Sequence, residues 1–372
     1  MKFQILQENL SKALSVASRF ASSKAQLPIL GNILLSTKKS KVYVSSTNLE
    51  ISASVQVGAK IEEEGEISVP AKVITELVSN LPKETISLSA EKEQLKVSTT
   101  GFSSKILGIN PSDFPKIPTS ISEEGSVKLS WESLASSLSQ VLFATSTDET
   151  RPVLTGVLFL FSGESLSLVA TDGFRLSRKM IPLKVKKELV GKIVIPKGVL
   201  GEITRSEATD SEILMFKESK EKQVIFGVGD IILASRLLEG EYPDFEKIIP
   251  RSASVKVLLD KEEFLRAIRL ASIFARESAN IVRIKVLDGL VKVLAESSAA
   301  GSQETKVDAK VEKEKKEDFE IAFNYKFLED FLHSVVGDEI EMRFTGVSSA
   351  GVFLDPKDSA YLHLIMPVKI QD

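Results

Sequence analysis

The sequence predicts an α+β fold of three similar domains, each made of two units of one strand, one helix and three strands. Two observations support this prediction. An amphipathic helix, a strand that follows a turn and a second helix recur in the same order three times, roughly 125 residues apart. Between the helices, apolar and polar residues alternate with a period of two, which is typical of strands with one buried face. We therefore expect helices on one face of each domain and a sheet on the other.

The first helix of each repeat is marked by apolar residues at positions i, i+3, i+4 and i+7. This spacing places the apolar side chains on one helix face, which we expect to pack against the sheet. In the three repeats these residues are Leu10, Ala13, Leu14 and Ala17; Trp131, Leu134, Ala135 and Leu138; and Phe264, Ala267, Ile268 and Ala271.

A strand is predicted next in each repeat, at 27–30, 151–154 and 279–282, and a further strand follows at 42–44, 166–170 and 290–294. The second helix follows Pro70, Pro196 or Asn324, and proline is well tolerated at a first helical turn. Proline, serine and charged residues collect at about 118–127 and 249–255. We accordingly predict domains at 1–121, 122–252 and 253–372.

Composition excludes several classes of protein. The chain has 372 residues with no cysteine, which excludes a disulfide scaffold, a cysteine-ligated metal site and a cysteine nucleophile. No stretch reaches the ~20 apolar residues of a membrane span, and the first residues do not resemble a signal peptide, so we expect a cytoplasmic protein. The net charge of −3 argues against a uniformly basic nucleic-acid binder, but it permits a basic face.

The sequence contains no convincing catalytic motif. Its two histidines, His333 and His363, lack metal-ligand spacing, and no glycine-rich phosphate loop or nucleophile elbow is present. We predict a non-enzymatic protein without a cofactor or metal. Two alternatives remain: a binding protein with a closed ligand pocket, and a hydrolase that uses a pair of carboxylates. Neither alternative requires a dimer, so a mass in solution near twice that of the chain would argue against both.

Basic residues occur on the polar sides and ends of the predicted helices, whereas many acidic residues lie in strands and loops, such as 62–64 and 123–124. A basic helical layer could hold phosphates without reading bases. The candidate phosphate-binding residues are Lys12, Arg19, Lys24, Lys72, Lys197, Arg205, Arg266 and Arg269.

Over essentially its whole length the chain resembles the bacterial DNA polymerase III beta subunits, the sliding clamps. The most specific matching segments are 27–32, 170–176, 242–245, 323–324 and 366–367. The resemblance implies a head-to-tail homodimeric ring that encircles double-stranded DNA, with helices lining the hole and the sheet outside. It further implies a processivity factor with no active site or cofactor. The implied partners are the DNA polymerase III alpha subunit, a clamp loader and other proteins with a peptide motif.

The resemblance also implies two sets of contact residues. Ile106, Ile273 and Phe274 are expected to form the apolar part of the dimer interface between the first domain of one chain and the third of the other. A groove between the second and third domains is expected to take a short peptide carrying Gln, Leu and Phe. Phe174, Lys247 and Phe327 depart from the commonest residues of the family at that groove. The expected groove residues are Leu154, Thr171, Gly173, Phe174, Arg175, Leu176, Pro243, Lys247, Ile248, Asn324, Phe327, Met366, Pro367 and Val368.

Overall fold

The protein was analysed as a computed structural model, which describes residues 1–22, 27–183, 189–206, 212–218, 221–315 and 317–369. The predicted order of strand, helix and three strands occurs twice in each repeat, with one additional strand, β5, in the first. The prediction of an α+β fold of three similar repeats is confirmed. None of the helices in the described ranges is long and apolar enough to cross a membrane.

The elements of the first repeat follow the predicted pattern. They are β1 (Lys2–Leu6), α1 (Gln7–Ala17), β2 (Asn32–Lys38), β3 (Lys41–Thr47), β4 (Ile51–Gly58), β5 (Lys60–Glu63), β6 (Gly65–Pro70), α2 (Ala71–Ser79), β7 (Thr85–Glu91), β8 (Gln94–Thr99) and β9 (Phe102–Leu107).

The second and third repeats have the same order of elements. The second consists of β10 (Val127–Ser130), α3 (Trp131–Ser139), β11 (Gly156–Gly163), β12 (Ser165–Thr171), β13 (Arg175–Pro182), β14 (Leu189–Pro196), α4 (Lys197–Arg205), β15 (Glu212–Glu218), β16 (Gln223–Val228) and β17 (Ile231–Arg236). The third consists of β18 (Val255–Asp260), α5 (Lys261–Ala275), β19 (Ile281–Val286), β20 (Leu290–Ser297), β21 (Gly301–Lys313), β22 (Phe319–Asn324), α6 (Tyr325–Ser334), β23 (Glu339–Phe344), β24 (Gly351–Leu354) and β25 (Tyr361–Ile365).

The strands predicted at 27–30 and 151–154 are wrong. Pro28–Gly31 and Pro152–Thr155 form short 3-10 turns, and β2 and β11 begin only after them. Proline fixes φ near the helical value and has no N–H to donate, so it favours the first position of a helical turn over an internal strand position.

The chain forms two compact units that do not follow the repeat boundaries. Unit 1 comprises Met1–Glu132 and Arg205–Leu237, and unit 2 comprises Ser133–Thr204 and Leu238–Asp372. The second repeat therefore contributes β10 and β15 to β17 to unit 1, and β11 to β14 to unit 2. The domain boundaries near residues 121 and 252 stay a prediction.

Unit 1 contains a five-stranded sheet, β5-β1-β7-β8-β9, and an eight-stranded sheet, β10-β15-β16-β17-β4-β3-β2-β6. In the second sheet, β17 of the second repeat pairs antiparallel with β4 of the first, with Ser235 opposite Ile51. The apolar faces of α1 and α2 are buried through Leu10, Leu14 and Ile74, as the spacing predicts.

Unit 2 contains a twelve-stranded sheet, β14-β11-β12-β13-β25-β24-β23-β18-β21-β20-β19-β22. Within this sheet, β13 of the second repeat pairs antiparallel with β25, the last strand of the third, and Arg175 lies opposite Ile365. The core under α5 and α6 is rich in aromatic residues, among them Phe264, Phe331 and Phe353. The β13–β25 pair brings the turn before β13 next to the segment after β25, and both contain expected groove residues.

Candidate functional site

The turn between β12 and β13 is shaped by its own side chains. The Asp172 Oδ1 atom accepts the N–H groups of Phe174 and Arg175, at 2.9 and 3.0 Å. The Thr171 hydroxyl donates to the Arg175 carbonyl at 2.6 Å and accepts the Gly173 N–H at 3.1 Å. Gly173 has a φ of 95°, which is unfavourable for residues with a Cβ. The turn leaves Phe174 at 62% exposure on the surface.

The Arg175 side chain joins this turn to two other segments of unit 2. Its Nε donates to Asp172 Oδ2 at 3.0 Å, and its two terminal nitrogens donate to Asp330 Oδ2 at 2.5 Å and to the Phe143 carbonyl at 2.7 Å. The guanidinium also stacks on the Phe327 ring, 4.5 Å from its centroid. The family resemblance places Arg175 in the groove, but here each of its nitrogens already binds within the protein.

The segment after β25 crosses from the turn to β22. The Met366 N–H donates to the Phe174 carbonyl at 2.8 Å, and the Val368 N–H donates to the Ala322 carbonyl at 2.9 Å. Met366 is 41% exposed, whereas Pro367 and Val368 are half-buried. Three of the expected groove residues thus lie beside the turn that carries four others.

Leu154 and Leu176, two of the expected groove residues, are buried, with 5% and 1% exposure. Leu176 packs in a cluster with Val169, Phe245 and Leu364. Strand alternation explains its position, because Leu176 follows Arg175 on β13 and faces the opposite side. In this structure the two leucines are core residues, and a peptide would reach them only after the covering side chains move.

The remaining groove residues lie nearer the surface. Pro243 is exposed, and Lys247 is exposed and forms an ion pair with Asp244 at 2.7 Å, while Ile248 is 48% exposed. The Asn324 side chain accepts the Lys326 N–H at 3.0 Å, which caps α6. Asn324 therefore helps to start the helix that positions Phe327.

The expected DNA-binding residues are exposed where the structure describes them, and Lys24 lies outside the described residues. Lys12, Arg19, Lys72 and Arg205 belong to unit 1, and the other three belong to unit 2. Some already have acidic neighbours: Lys72 lies 3.9 Å from Glu76, and Arg269 lies 3.5 Å from Glu329. Partial burial, and to a smaller extent the charge of Arg175, lowers the pKa of Lys197.

The expected interface residues differ in accessibility. Ile273 is 58% exposed on α5, but Phe274 is partly buried against the core of unit 2. Ile106 lies on β9, an edge strand as expected, yet it is 5% exposed and packs inside unit 1. Leu107, which sequence reasoning missed, is the outward-facing neighbour at 73% exposure. Period-two alternation along β9 could have revealed it.

The described side chains include no group of three histidine, aspartate or glutamate residues placed to hold a metal ion. His363 is fully buried, with its Nδ1 atom 2.7 Å from the Ser177 hydroxyl and its ring stacked on Phe331. The surroundings of His363 are those of a core residue.

Three family models of the DNA polymerase III beta subunit match the chain in order. The N-terminal domain model matches residues 1–118, the central domain 128–244 and the C-terminal domain 246–369. The beta sliding clamp of Staphylococcus aureus strain N315 is 30% identical over 381 residues, which cover 99% of each chain.

Two crystal structures resemble the fold over its whole length. The DNA polymerase sliding clamp from Bacillus subtilis has a TM-score of 0.93 at 27% identity, and the DNA polymerase III beta subunit from Thermotoga maritima has a TM-score of 0.91 at 26% identity. Both comparisons cover 100% of each chain. Since sequence and fold agree from the first repeat to the last, the chain belongs to the DNA polymerase III beta subunit family, the sliding clamps, which are non-catalytic processivity factors.

Proposed function

We propose that this sliding clamp acts in the cytoplasm as a head-to-tail homodimeric ring around duplex DNA and tethers the DNA polymerase III alpha subunit through a peptide groove in unit 2. The clamp loader and other proteins with a peptide motif would use the same groove. The observation that carries the groove is the hydrogen bond from the Met366 N–H to the Phe174 carbonyl, which joins the last segment of the chain to the Thr171–Arg175 turn.

The basic helical residues suit a role in retention without sequence preference. Lys12, Arg19 and Arg266 are exposed charges on or next to helices, and such side chains attract phosphates without reading base edges. When a ring encloses the DNA, the enclosure prevents dissociation, so each phosphate contact can be weak. Weak contacts allow the ring to slide.

Several features of the groove support peptide binding. Phe174, Ile248 and Met366 offer partly exposed apolar surface, and Gly173 carries no side chain that would keep a peptide backbone away. The Arg175 contacts fix the position of the turn relative to α6, so the groove wall is ordered before a peptide arrives. A preorganised wall lowers the entropy cost of binding.

Retention on circular DNA tests the ring. The clamp is loaded on nicked circular DNA with a clamp loader, and the protein that remains after gel filtration is measured before and after the circle is cut. A ring stays on the circle and leaves the linear form by sliding off its ends. Equal retention on both forms would contradict enclosure and would indicate ordinary surface binding.

A titration tests the groove separately. A labelled peptide carrying Gln, Leu and Phe should bind the intact chain, and an excess of unlabelled peptide should block capture of the DNA polymerase III alpha subunit. Failure of the peptide to compete would place the polymerase contact elsewhere on the clamp.

A further inference from the structure

Unit 1 contains a second turn with the same hydrogen-bond frame as the Thr171–Arg175 turn of unit 2. The Asn48 Oδ1 atom accepts the N–H groups of Glu50 and Ile51 at 3.1 and 2.8 Å. The Thr47 hydroxyl donates to the Ile51 carbonyl at 3.0 Å and accepts the Leu49 N–H at 3.0 Å. Each bond has a counterpart made by Thr171 or Asp172 in unit 2.

In both units, the turn also accepts a backbone hydrogen bond from the end of a neighbouring strand. The Arg236 N–H donates to the Glu50 carbonyl at 2.8 Å, just as the Met366 N–H donates to the Phe174 carbonyl at 2.8 Å. Arg236 ends β17, which pairs with β4, whereas Met366 follows β25, which pairs with β13. The local framework proposed to hold a peptide in unit 2 is thus built a second time in unit 1.

Leu49 is unusual in this second turn. Its φ is 76°, in the left-handed region that Gly173 occupies in unit 2 at 95°. Left-handed backbone is unfavourable for a leucine, and burial does not compensate here because the side chain is 48% exposed. A glycine would fit the backbone better, so the apolar side chain is retained at a local cost in stability.

Leu49 lines a cavity of 440 Å³ in unit 1, together with Ile51, Ile117 and Pro118. This volume lies within the range of small-ligand sites, roughly 300–1,000 Å³. The charged lining residues are Glu50, Lys116, Glu221 and Arg236, two acids and two bases whose charges cancel. A neutral lining suits an uncharged peptide and offers no net attraction to nucleic-acid phosphates.

We propose that this cavity, the Leu49 groove, is a second docking site for an extended peptide with apolar side chains and no net charge. The inference rests on the proposed function of unit 2, because it assigns to the Leu49 groove the same class of ligand. Leu49 would contact the apolar side chain of the peptide, and Ile117 and Pro118 would form the opposite wall. A clamp subunit would then hold two peptides at once.

Calorimetric titration with a blocked, uncharged peptide carrying Gln, Leu and Phe tests the inference on the full-length dimer. Four proteins are compared: the intact chain, the chain truncated after Ile365, Leu49→Asn, and the truncated chain with Leu49→Asn. Asparagine tolerates left-handed backbone but lacks the apolar side chain. We expect two, one, one and no peptides bound per chain, with the Leu49 groove about tenfold weaker, a free-energy difference of about 1.4 kcal/mol.

The pattern of stoichiometries separates the two proposals. Values of one, none, one and none would overturn the Leu49 groove and leave the unit 2 groove intact. Values of one, one, none and none would support the Leu49 groove and overturn the unit 2 groove. Binding of a duplex oligonucleotide, instead of the peptide, that is lost with Leu49→Asn would also overturn the proposal.

Two further variants control for effects on folding. Leu49→Gly removes the apolar side chain while relieving the backbone, so it should lose the second site with an unchanged or higher melting temperature. Lys39→Gly makes the same backbone change at another left-handed residue of unit 1, where φ is 56°, and should retain both sites. Loss of the second site in Lys39→Gly would show that Leu49 has no specific role.

Discussion

Arg175 on β13 and Asp330 on α6 form an ion pair of 2.5 Å that joins residues 155 positions apart in the chain. The Arg175 side chain is 11% exposed and the Asp330 side chain 43%, so the pair is partly shielded from solvent. In unit 1 the equivalent turn forms with Ile51 at the position of Arg175, so the arginine is not needed to form the turn. Its contacts instead fix where the turn lies relative to α6.

The variant Asp330→Asn should therefore weaken peptide binding to unit 2 without unfolding it. We expect a loss of about 1 kcal/mol, roughly fivefold in the dissociation constant, because a partly exposed ion pair is replaced by a neutral hydrogen bond. Fluorescence polarisation with the labelled peptide measures the change. Asp338→Asn, which disrupts the exposed pair with Lys357 at 2.6 Å, is the matched control and should bind as the intact chain does. Equal affinity of all three proteins would contradict a positioning role for Arg175.

Truncation after Ile365 should abolish peptide binding to unit 2, because it removes Met366 and the backbone bonds to Phe174 and Ala322. The β13–β25 pairing ends at Ile365, so the dimer mass and the melting temperature should change little. Truncation after Lys369 retains both bonds and serves as the control. If the shorter chain binds the peptide at unit 2 with unchanged affinity, the C-terminal segment is not part of the groove.

The variant Ile273→Ala should convert the dimer to a folded monomer at micromolar concentration. Removing one exposed interface anchor costs about 2 kcal/mol, roughly 30-fold in the dimer dissociation constant. Sedimentation would show the mass fall from twice to once the 40.7 kDa of the chain. Leu270→Ala changes another exposed apolar residue of α5, at 44% exposure, and should leave the dimer intact. The variant Phe274→Ala is less informative, because Phe274 also packs on the core and its loss lowers stability.

Charge reversal at two helical residues, Lys12→Glu with Arg266→Glu, should shorten retention on circular DNA and flatten its salt dependence, since fewer counterions are released. The loss should be equal for DNA of different sequence. Lys310→Glu makes the same charge reversal at one residue of strand β21, and we expect it to have little effect on retention. Identical salt dependence for all variants would remove Lys12 and Arg266 from the DNA-facing set.

His363 should make unit 2 sensitive to acid. Burial, and to a smaller extent the charge of Arg175, lowers the pKa of His363 from 6.5 to about 3. The unfolded chain binds a proton near pH 6.5 but the folded chain does not, so stability is full above that value and falls as the pH drops toward 3. Below pH 3 the loss of stability reaches up to about 5 kcal/mol. The melting temperature should change less between pH 7 and pH 4 for His363→Gln than for the intact chain. An equal change in both proteins would show that His363 is not the cause of the acid sensitivity.

The repeated architecture could be predicted because helix periodicity and strand alternation are local properties of the sequence. The turns at Pro28 and Pro152 were mistaken for strands, since an apolar segment that begins with proline fits both. Resemblance to the family identified Arg175, but it could not show that Asp330 and the Phe143 carbonyl already bind its guanidinium. Those contacts depend on how distant segments pack. The exposure of Ile106 and Leu107 likewise depends on which face of β9 packs against the core of unit 1.

The pairing of β4 with β17 and of β13 with β25 bears on attempts to produce single repeats of the clamp. A cut near residue 121 or 252 leaves each of these strands without its partner and exposes a row of free N–H and C=O groups. Such edges recruit strands from other molecules. An isolated repeat would therefore tend to aggregate, whereas the intact chain keeps both pairs of strands joined.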